Sequence, residues 1–267
     1  MAVRQPAIFV PHGGGPCFWM DFPPPFGPHA WDKLRAHLAG LVESLPERPK
    51  AFLVVTAHWE APQPTISVNP HPGMLYDYYG FPEHTYRLSY PAPGAPEVAA
   101  EAKRLIEAAG LPVATDGERG FDHGVFVPFL IVDPKAEIPV VMLSLRKDLD
   151  AAFHIRLGKA LAPLRDQGVA IVGSGMSYHD LRHFFDGGEG PSAQFDAWLD
   201  ETAKARPEER EARLAEWAKA PGGRASHPRE EHLLPLMVVT GAAGGSPGEH
   251  SFRDVVGGKV ISGFRFG

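Results

Sequence analysis

The 267-residue chain has a single cysteine, Cys17, which excludes an internal disulfide and any metal cluster built on several thiolates. It also has no apolar run near the ~18 residues that a membrane helix needs. The N-terminal stretch Met1-Ala2-Val3-Arg4-Gln5-Pro6 gives way to apolar residues only at Ala7 and meets Pro11 and His12 within five positions, too soon for a secretory signal. No membrane contact and a cytoplasmic location are therefore expected. Positive charge is scarce too: 26 Lys and Arg against 32 Asp and Glu leave a net charge of −6, so nucleic acid is not an expected partner. With 44% hydrophobic and 22% charged residues, the chain can bury a large core and is not a disordered composition. It is also rich in histidine, with thirteen. With thiolates nearly absent, a transition metal here has to be held by imidazole and carboxylate.

Short apolar runs alternate with helical periodicity. Ala7–Val10, Ala51–Ala57, Thr65–Val68, Ile138–Leu145 and Val169–Gly173 read as strands, and Phe252–Val256 and Lys259–Phe266 as terminal strands. The run at Ala51–Ala57 is apolar throughout, as in a strand buried on both faces. Helices are predicted over Trp31–Leu45, Pro96–Ala109, 150–164, 191–219 and 229–241, the last kinked at Pro235. The stretch 69–93 is turn-rich and aromatic, and Asp186–Pro191 reads as a surface loop. This alternation predicts one α/β domain over 1–267, with a mixed, mostly parallel sheet covered by helices in three layers.

Three histidines follow predicted strands: His12 after Ala7–Val10, His58 directly after Ala51–Ala57, and His179 a few residues past Val169–Gly173. Open α/β sheets bind ligands beyond the carboxyl ends of their strands, so three parallel neighbours would aim these imidazoles into one crevice. His12 sits in Pro11-His12-Gly13-Gly14-Gly15-Pro16, either a plain turn or a loop that lets backbone approach a ligand. A phosphate cradle is disfavoured, because no Gly-Lys-Ser/Thr follows. His123 adjoins Asp122. His179 and His183, four apart, would share a face if helical. His232 falls inside the predicted helix at 229–241, where a core-facing histidine is more often structural. His29, His37, His71, His84, His154 and His250 read as loop or helix-surface residues, and Cys17 as a small buried side chain.

Six blocks then occur in order: Pro11-His12-Gly13-Gly14-Gly15-Pro16, Thr56-Ala57-His58-Trp59, Gly80-Phe81-Pro82-Glu83 with Tyr90-Pro91-Ala92-Pro93-Gly94, Gly120-Phe121-Asp122-His123-Gly124, Ser177-Tyr178-His179-Asp180-Leu181-Arg182, and Glu231-His232-Leu233-Leu234-Pro235-Leu236. Over nearly its whole length the sequence resembles the 4,5-DOPA-type extradiol aromatic-ring-opening dioxygenases of the class III, LigB-like superfamily. The resemblance implies a LigB-like fold and a non-haem metal held by His12, His58 and His232. It implies Fe(II) for activity, with Zn also able to bind, and His179 and His123 as acid–base and substrate-binding residues. Catechol and O₂ are the implied substrates, and a muconic semialdehyde the product. Protocatechuate-type relatives use a carboxylate as third ligand, which keeps Glu231 in reserve, and His227 is a weaker rival. Tyr178 and the tyrosines at 76–90 are expected to wall the pocket, and Arg182 to meet a substrate carboxylate. A zinc hydrolase on the same histidines, or a non-enzymatic binding protein like the Memo-type relatives, are the competing readings.

Overall fold

The apolar runs pair edge to edge into one sheet in the computed structural model, which describes residues 3–24, 26–184 and 189–267. In chain order the elements are β1 (Ala7–Pro11), α1 (Asp32–Ala39), β2 (Ala51–Ala61), β3 (Thr65–Ser67), α2 (Pro96–Ala108), β4 (Ala114–Asp116), α3 (His123–Val132), β5 (Val140–Arg146), α4 (Ala151–Leu161), α5 (Pro163–Asp166), β6 (Val169–Gly175), α6 (Gly190–Lys204), α7 (Pro207–Ala215), α8 (Gly223–Ser226), α9 (Leu234–Ala243), β7 (Gly248–Val256) and β8 (Lys259–Phe266). The sheet order is β4-β3-β5-β2-β6-β1-β8-β7. The central strands β5, β2, β6 and β1 run parallel, while β3 against β5, and the β1–β8–β7 edge, are antiparallel. This is the mixed, mostly parallel α/β sheet expected from the alternation.

Side chains alternate across the central strands, so each feeds two cores. Phe9, Leu53 and Val55 pack on one face with Ala99 of α2, Phe153 of α4, Phe195 of α6, Leu214 of α7 and Met237 of α9. Ile8, Val10, Phe52 and Val54 pack on the other with Leu34 of α1, Phe126 of α3 and the loop aromatics Tyr78, Tyr90 and Phe121. Both faces being covered explains why β2 reads as a continuous apolar run.

The differences from the sequence reading have local causes. The helix expected over Trp31–Leu45 stops at Ala39 and continues as turns. The one expected over 191–219 breaks at Ala205-Arg206, ahead of Pro207, which opens α7. Pro235 does not kink a helix spanning 229–241; it sits in the first turn of α9, which starts at Leu234. β4 and α3 were not expected at all, since α3 is buried nearly all round and shows no amphipathic stripe. Of the loop expected over Asp186–Pro191, residues 186–188 lie outside the described residues and Gly190 already opens α6.

Candidate metal centre

The register of the central strands sets the site. Pro11 of β1 lies beside Gly175 of β6, and Thr56 of β2 beside Ser174, so three strands present their carboxyl-side residues at one level. His12 leaves β1 with its amide donating to the Gly175 carbonyl (3.1 Å). His58 lies within β2, not after it: pairing with β5 is irregular between Val55 and Glu60, and His58 falls in that bulge. Bulges of this kind re-aim side chains beside functional sites. His232 is not helical; it precedes α9, and its carbonyl accepts from the Met176 amide at the end of β6 (3.0 Å). A Cβ on Gly175 would stand 2.2 Å from that carbonyl, so only glycine admits this crossing. Gly13, at φ +82°, turns the chain after His12 and has Cys17 Sγ where a Cβ would be.

The result is a ring of five imidazoles. His12 Nε2 and His58 Nε2 are 3.2 Å apart, and the His12 and His232 ring centroids 5.2 Å apart. His123 packs against His58 at 3.8 Å, and His179 stacks on His232 at 3.3 Å. His12, His123 and His232 are buried; His58 and His179 keep a small exposed fraction. Burial, reinforced by the charge each neighbouring ring would carry, holds His12, His58 and His232 well below the ordinary imidazole value, so each is neutral and has a lone pair to offer.

Three overlapping groups have metal-ligand spacing: His12/His58/His232, His58/Asp77/His123 and His179/Glu231/His232. The two that contain a carboxylate are already spent on internal hydrogen bonds. His123 Nδ1–H and its backbone amide donate to Asp77 Oδ1 (2.8 and 2.9 Å), and Asp77 Oδ2 lies 3.7 Å from His58 Nδ1. His232 Nδ1–H donates to Glu231 Oε1 (3.0 Å), which also lies 3.4 Å from His179 Nδ1. Burial raises both carboxyl groups, but the hydrogen bonds and charge of the facing histidines outweigh it and keep each acid below its usual value, hence anionic. Only His12/His58/His232 leaves donors unspent: His232 Nε2 is buried with no hydrogen-bond partner among the described residues. Two nitrogens each about 2.1 Å from one ion stand about 3–3.5 Å apart, the separation of the His12–His58 pair. Three neutral imidazoles, two of them backed by carboxylates on Nδ1, fit a divalent transition metal.

The rings open onto a cavity of about 490 Å³. Its floor is the five histidines and Asp77, and its walls include Phe22, Phe26, Trp31, Tyr78, Phe81, Met176, Leu181 and Phe184.

A family model described as the catalytic LigB subunit of aromatic ring-opening dioxygenase matches residues 7–263. The chain belongs to the LigB family. Among the relatives of this LigB-family chain, a Beta vulgaris protein named 4,5-DOPA dioxygenase extradiol is 44% identical over 202 residues, 74% of this chain and 75% of that one. An Escherichia coli K12 protein of the same name is 36% identical over 248 residues, covering 90% and 86%. A Hapsidospora irregularis protein named dioxygenase tasH is 39% identical over 258 residues, covering 89% and 78%. A solved structure of an uncharacterized Escherichia coli K12 protein superposes with a TM-score of 0.78 at 30% identity, covering 99% of this chain and all of the other.

In this LigB-family site all five histidines singled out from the sequence, His12, His58, His123, His179 and His232, line one cavity. The rivals do not join them in the same way. His227 is buried against Phe195 and Trp217, donates from Nε2 to the Ser177 carbonyl (2.9 Å), and is pulled down to about 3 by burial. Glu231 faces the Nδ1 side of His232, away from the unspent Nε2. His183 shares no helix face with His179, for that segment is not helical; it pairs with Asp180 at 2.7 Å. His154, expected on a surface, is buried, with Nδ1–H donating to the Asp150 carbonyl and Nε2 accepting from the Arg146 amide. Of the tyrosines, Tyr78 walls the cavity, whereas Tyr79 is 91% exposed and Tyr178 is buried elsewhere in the core. Asp77 escaped the sequence reading. It reaches the site because Met74 bridges Phe121 and the Leu75 amide donates to the Phe121 carbonyl (2.7 Å), which sets Asp77 against His123. The alternation Tyr76-Asp77-Tyr78 was the one signal: an acid among aromatics.

Proposed function

We propose that the protein is a non-haem, metal-dependent extradiol dioxygenase that opens a catechol-type ring with O₂. The reading is carried by the convergence of His12, His58 and the unspent His232 Nε2 at the floor of an apolar cavity that also exposes two further imidazoles. His12, His58 and His232 would hold the metal, with Fe(II) the ion for activity; Zn²⁺ accepts the same ligands. Bound there on three neutral ligands, Fe(II) would supply a Lewis-acidic, redox-active centre for the diol and O₂.

The rest belongs to this chain's own residues. The Tyr78, Phe81, Trp31 and Phe184 walls hold an aromatic ring and exclude water. His179, with Nδ1 turned to Glu231, keeps Nε2 free as the base that takes a catechol proton. The same atom, once protonated, would serve as the acid that hands the proton back during ring opening. His123, whose Nδ1–H is fixed on Asp77, uses Nε2 to hydrogen-bond the substrate or oxygen. The net reaction adds both atoms of O₂ and breaks the ring carbon–carbon bond beside the diol. For catechol itself this takes C₆H₆O₂ and O₂ to a hydroxymuconic semialdehyde, C₆H₆O₄, with no external reductant.

The test is anaerobic loading with Fe(II), followed by oxygen uptake and the appearance of a yellow ring-fission product on adding a catechol. No uptake across a panel of catechols, with ester or phosphoester turnover by the zinc-loaded protein instead, would replace this reading with a hydrolase. His179→Ala should retain bound metal and lose at least ~100-fold in turnover.

A further inference from the structure

The charge of the cavity lining bears on which catechols fit. Its ionic and imidazole side chains lie at the floor; of the wall residues, Tyr78 spends its hydroxyl on the Thr85 carbonyl (2.7 Å) and Trp31 has its Nε1 buried. Beyond the floor the walls and rim are otherwise Phe22, Phe26, Phe81, Phe184, Trp31 and Leu181. Leu181, which lines the cavity, is 64% exposed, one of few large apolar side chains left in solvent. Among the described residues no lysine or arginine lines this cavity. Residues 185–188 and Pro25, outside the described set, include neither residue type.

Arg119 and Arg229 approach the floor from outside the cavity and are already spent, Arg119 on the His58 carbonyl (3.1 Å) and Asp122, Arg229 on Glu60 and Glu231; Arg182 and Arg35 adjoin the walls. Arg182, expected from the sequence to meet a substrate carboxylate, is instead turned outward: its side chain is 72% exposed and its Nε lies 3.3 Å from Asp180. Arg35 lines a separate cavity behind Trp31, where it donates to the Phe18 carbonyl (2.9 Å). A carboxylate carried on the ring would therefore lose its water among phenylalanines and gain no cation, which is strongly unfavourable. An alkyl or aryl group in the same place would bury apolar area at no such cost.

We infer that the substrate is a catechol whose ring substituent is uncharged and apolar, and that carboxylate-bearing catechols are selected against. This rests on the dioxygenase reading above and narrows it. DOPA carries an amino-acid carboxylate, so this cavity departs from what the name of several relatives describes.

The experiment pairs two probes of the same length, 4-propylcatechol and 3-(3,4-dihydroxyphenyl)propanoate, which differ by a methyl against a carboxylate. On the Fe(II)-loaded protein, kcat/KM should favour propylcatechol by at least ~10-fold, most of it in KM. Calorimetry on the zinc-loaded protein, which requires no turnover, should give the same order in Kd. Leu181→Arg, at the exposed rim, should narrow the ratio at least ~5-fold by offering the acid a partner. Equal or reversed preference overturns the inference while any turnover keeps the dioxygenase reading. A preference for the acid that disappears in Arg182→Ala or Arg35→Ala overturns it too, by showing that one of those cations reaches the substituent. Binding in the stated order without turnover supports the inference and removes the dioxygenase reading. Failure of both probes to bind overturns the inference.

Discussion

Asp77 and Glu231 do the same job on opposite sides of the imidazole ring. Each carboxylate contacts one candidate metal ligand and one candidate acid–base residue: His58 and His123 for Asp77, His232 and His179 for Glu231. An anion on Nδ1 keeps the proton there and presents Nε2 to the cavity, which fixes tautomer and ring angle together. Glu231 is itself tied to Arg229 (3.2 Å), whose guanidinium is also paired bidentately with Glu60. An amide cannot enforce one tautomer. Asp77→Asn and Glu231→Gln should each weaken metal binding by about 10–100-fold, measured by chelator competition, with the fold unchanged by circular dichroism. Unaltered affinity would show that packing alone sets the rings. His227 gives a second residue-scale prediction. Its ring is neutral in the fold because burial pulls it down to about 3, whereas in the unfolded chain it protonates near ~6.5. The unfolded state then binds the extra proton between these values, so stability falls as pH drops through that window, at up to about 1.4 kcal/mol per pH unit. In metal-loaded protein His227→Gln should flatten that slope in urea titrations between pH 6.5 and 4; an unchanged slope would mean that other groups carry it. His12, His58 and His232 were legible in sequence because each lies in a short distinctive block. Asp77 was not, because the bridge from Met74 to Phe121 that positions it spans 47 residues, and neighbours in sequence say nothing of such a contact.

At the scale of elements, the site depends on three backbones meeting at the carboxyl ends of β1, β2 and β6. The strands themselves were readable, because a parallel sheet buried on both faces leaves continuous apolar runs. The crevice was readable with them, because open α/β sheets take their ligands beyond the carboxyl ends of such strands. What periodicity hid was where an element stops. β2 runs on to Ala61 through a bulge that holds His58, since a bulge alters pairing without altering the apolar pattern. α9 begins two residues after His232, since Pro235 marks a first turn as readily as a kink. α3 starts at His123 itself, and its all-apolar sequence has no period to read. The meeting of β6 with the segment before α9 yields a direct test. A Cβ on Gly175 would meet the His232 carbonyl at 2.2 Å and the ring of Phe9 at 3.0 Å. Because the closer neighbour is backbone, it cannot swing aside. Gly175→Ala should cost about 1–3 kcal/mol in stability and lower bound metal below one per chain, by moving His232 away from His12 and His58. Full metal content in a folded Gly175→Ala protein would count against His232 as a ligand.

For the molecule as a whole, a metal on His12, His58 and His232 would tie together stretches far apart in sequence: the exit of β1, the bulge of β2 and the lead-in to α9. The scaffold is already stitched at both ends of its central strands. His12 and Met176 amides donate across the β1, β6 and α9 junction, and the buried Arg165 donates to the Ala242, Ala243, Gln5 and Phe266 carbonyls, joining the end of α9 to both termini of the sheet. The protein should thus fold without metal, in contrast to small domains that are folded by their ion. Occupancy adds to a fold that already stands, by about 4 kcal/mol when free metal exceeds Kd a thousandfold. For a chain of this size that is roughly 8–16 °C in Tm, gained on adding Fe(II) anaerobically or Zn²⁺ and lost to excess chelator. The pH course of that gain distinguishes this site from an adventitious one. Protons compete with metal for imidazole, and exposed histidines lose the contest near ~6.5. Here burial holds the three rings well below that value, so folded protein does not protonate them at pH 6. Bound metal and the Tm increment should therefore persist after dialysis at pH 6. Half-release near pH 6.5, as from a flexible histidine tract, would mean that the ion sits elsewhere on the molecule and would remove the three-histidine centre on which the proposed chemistry depends.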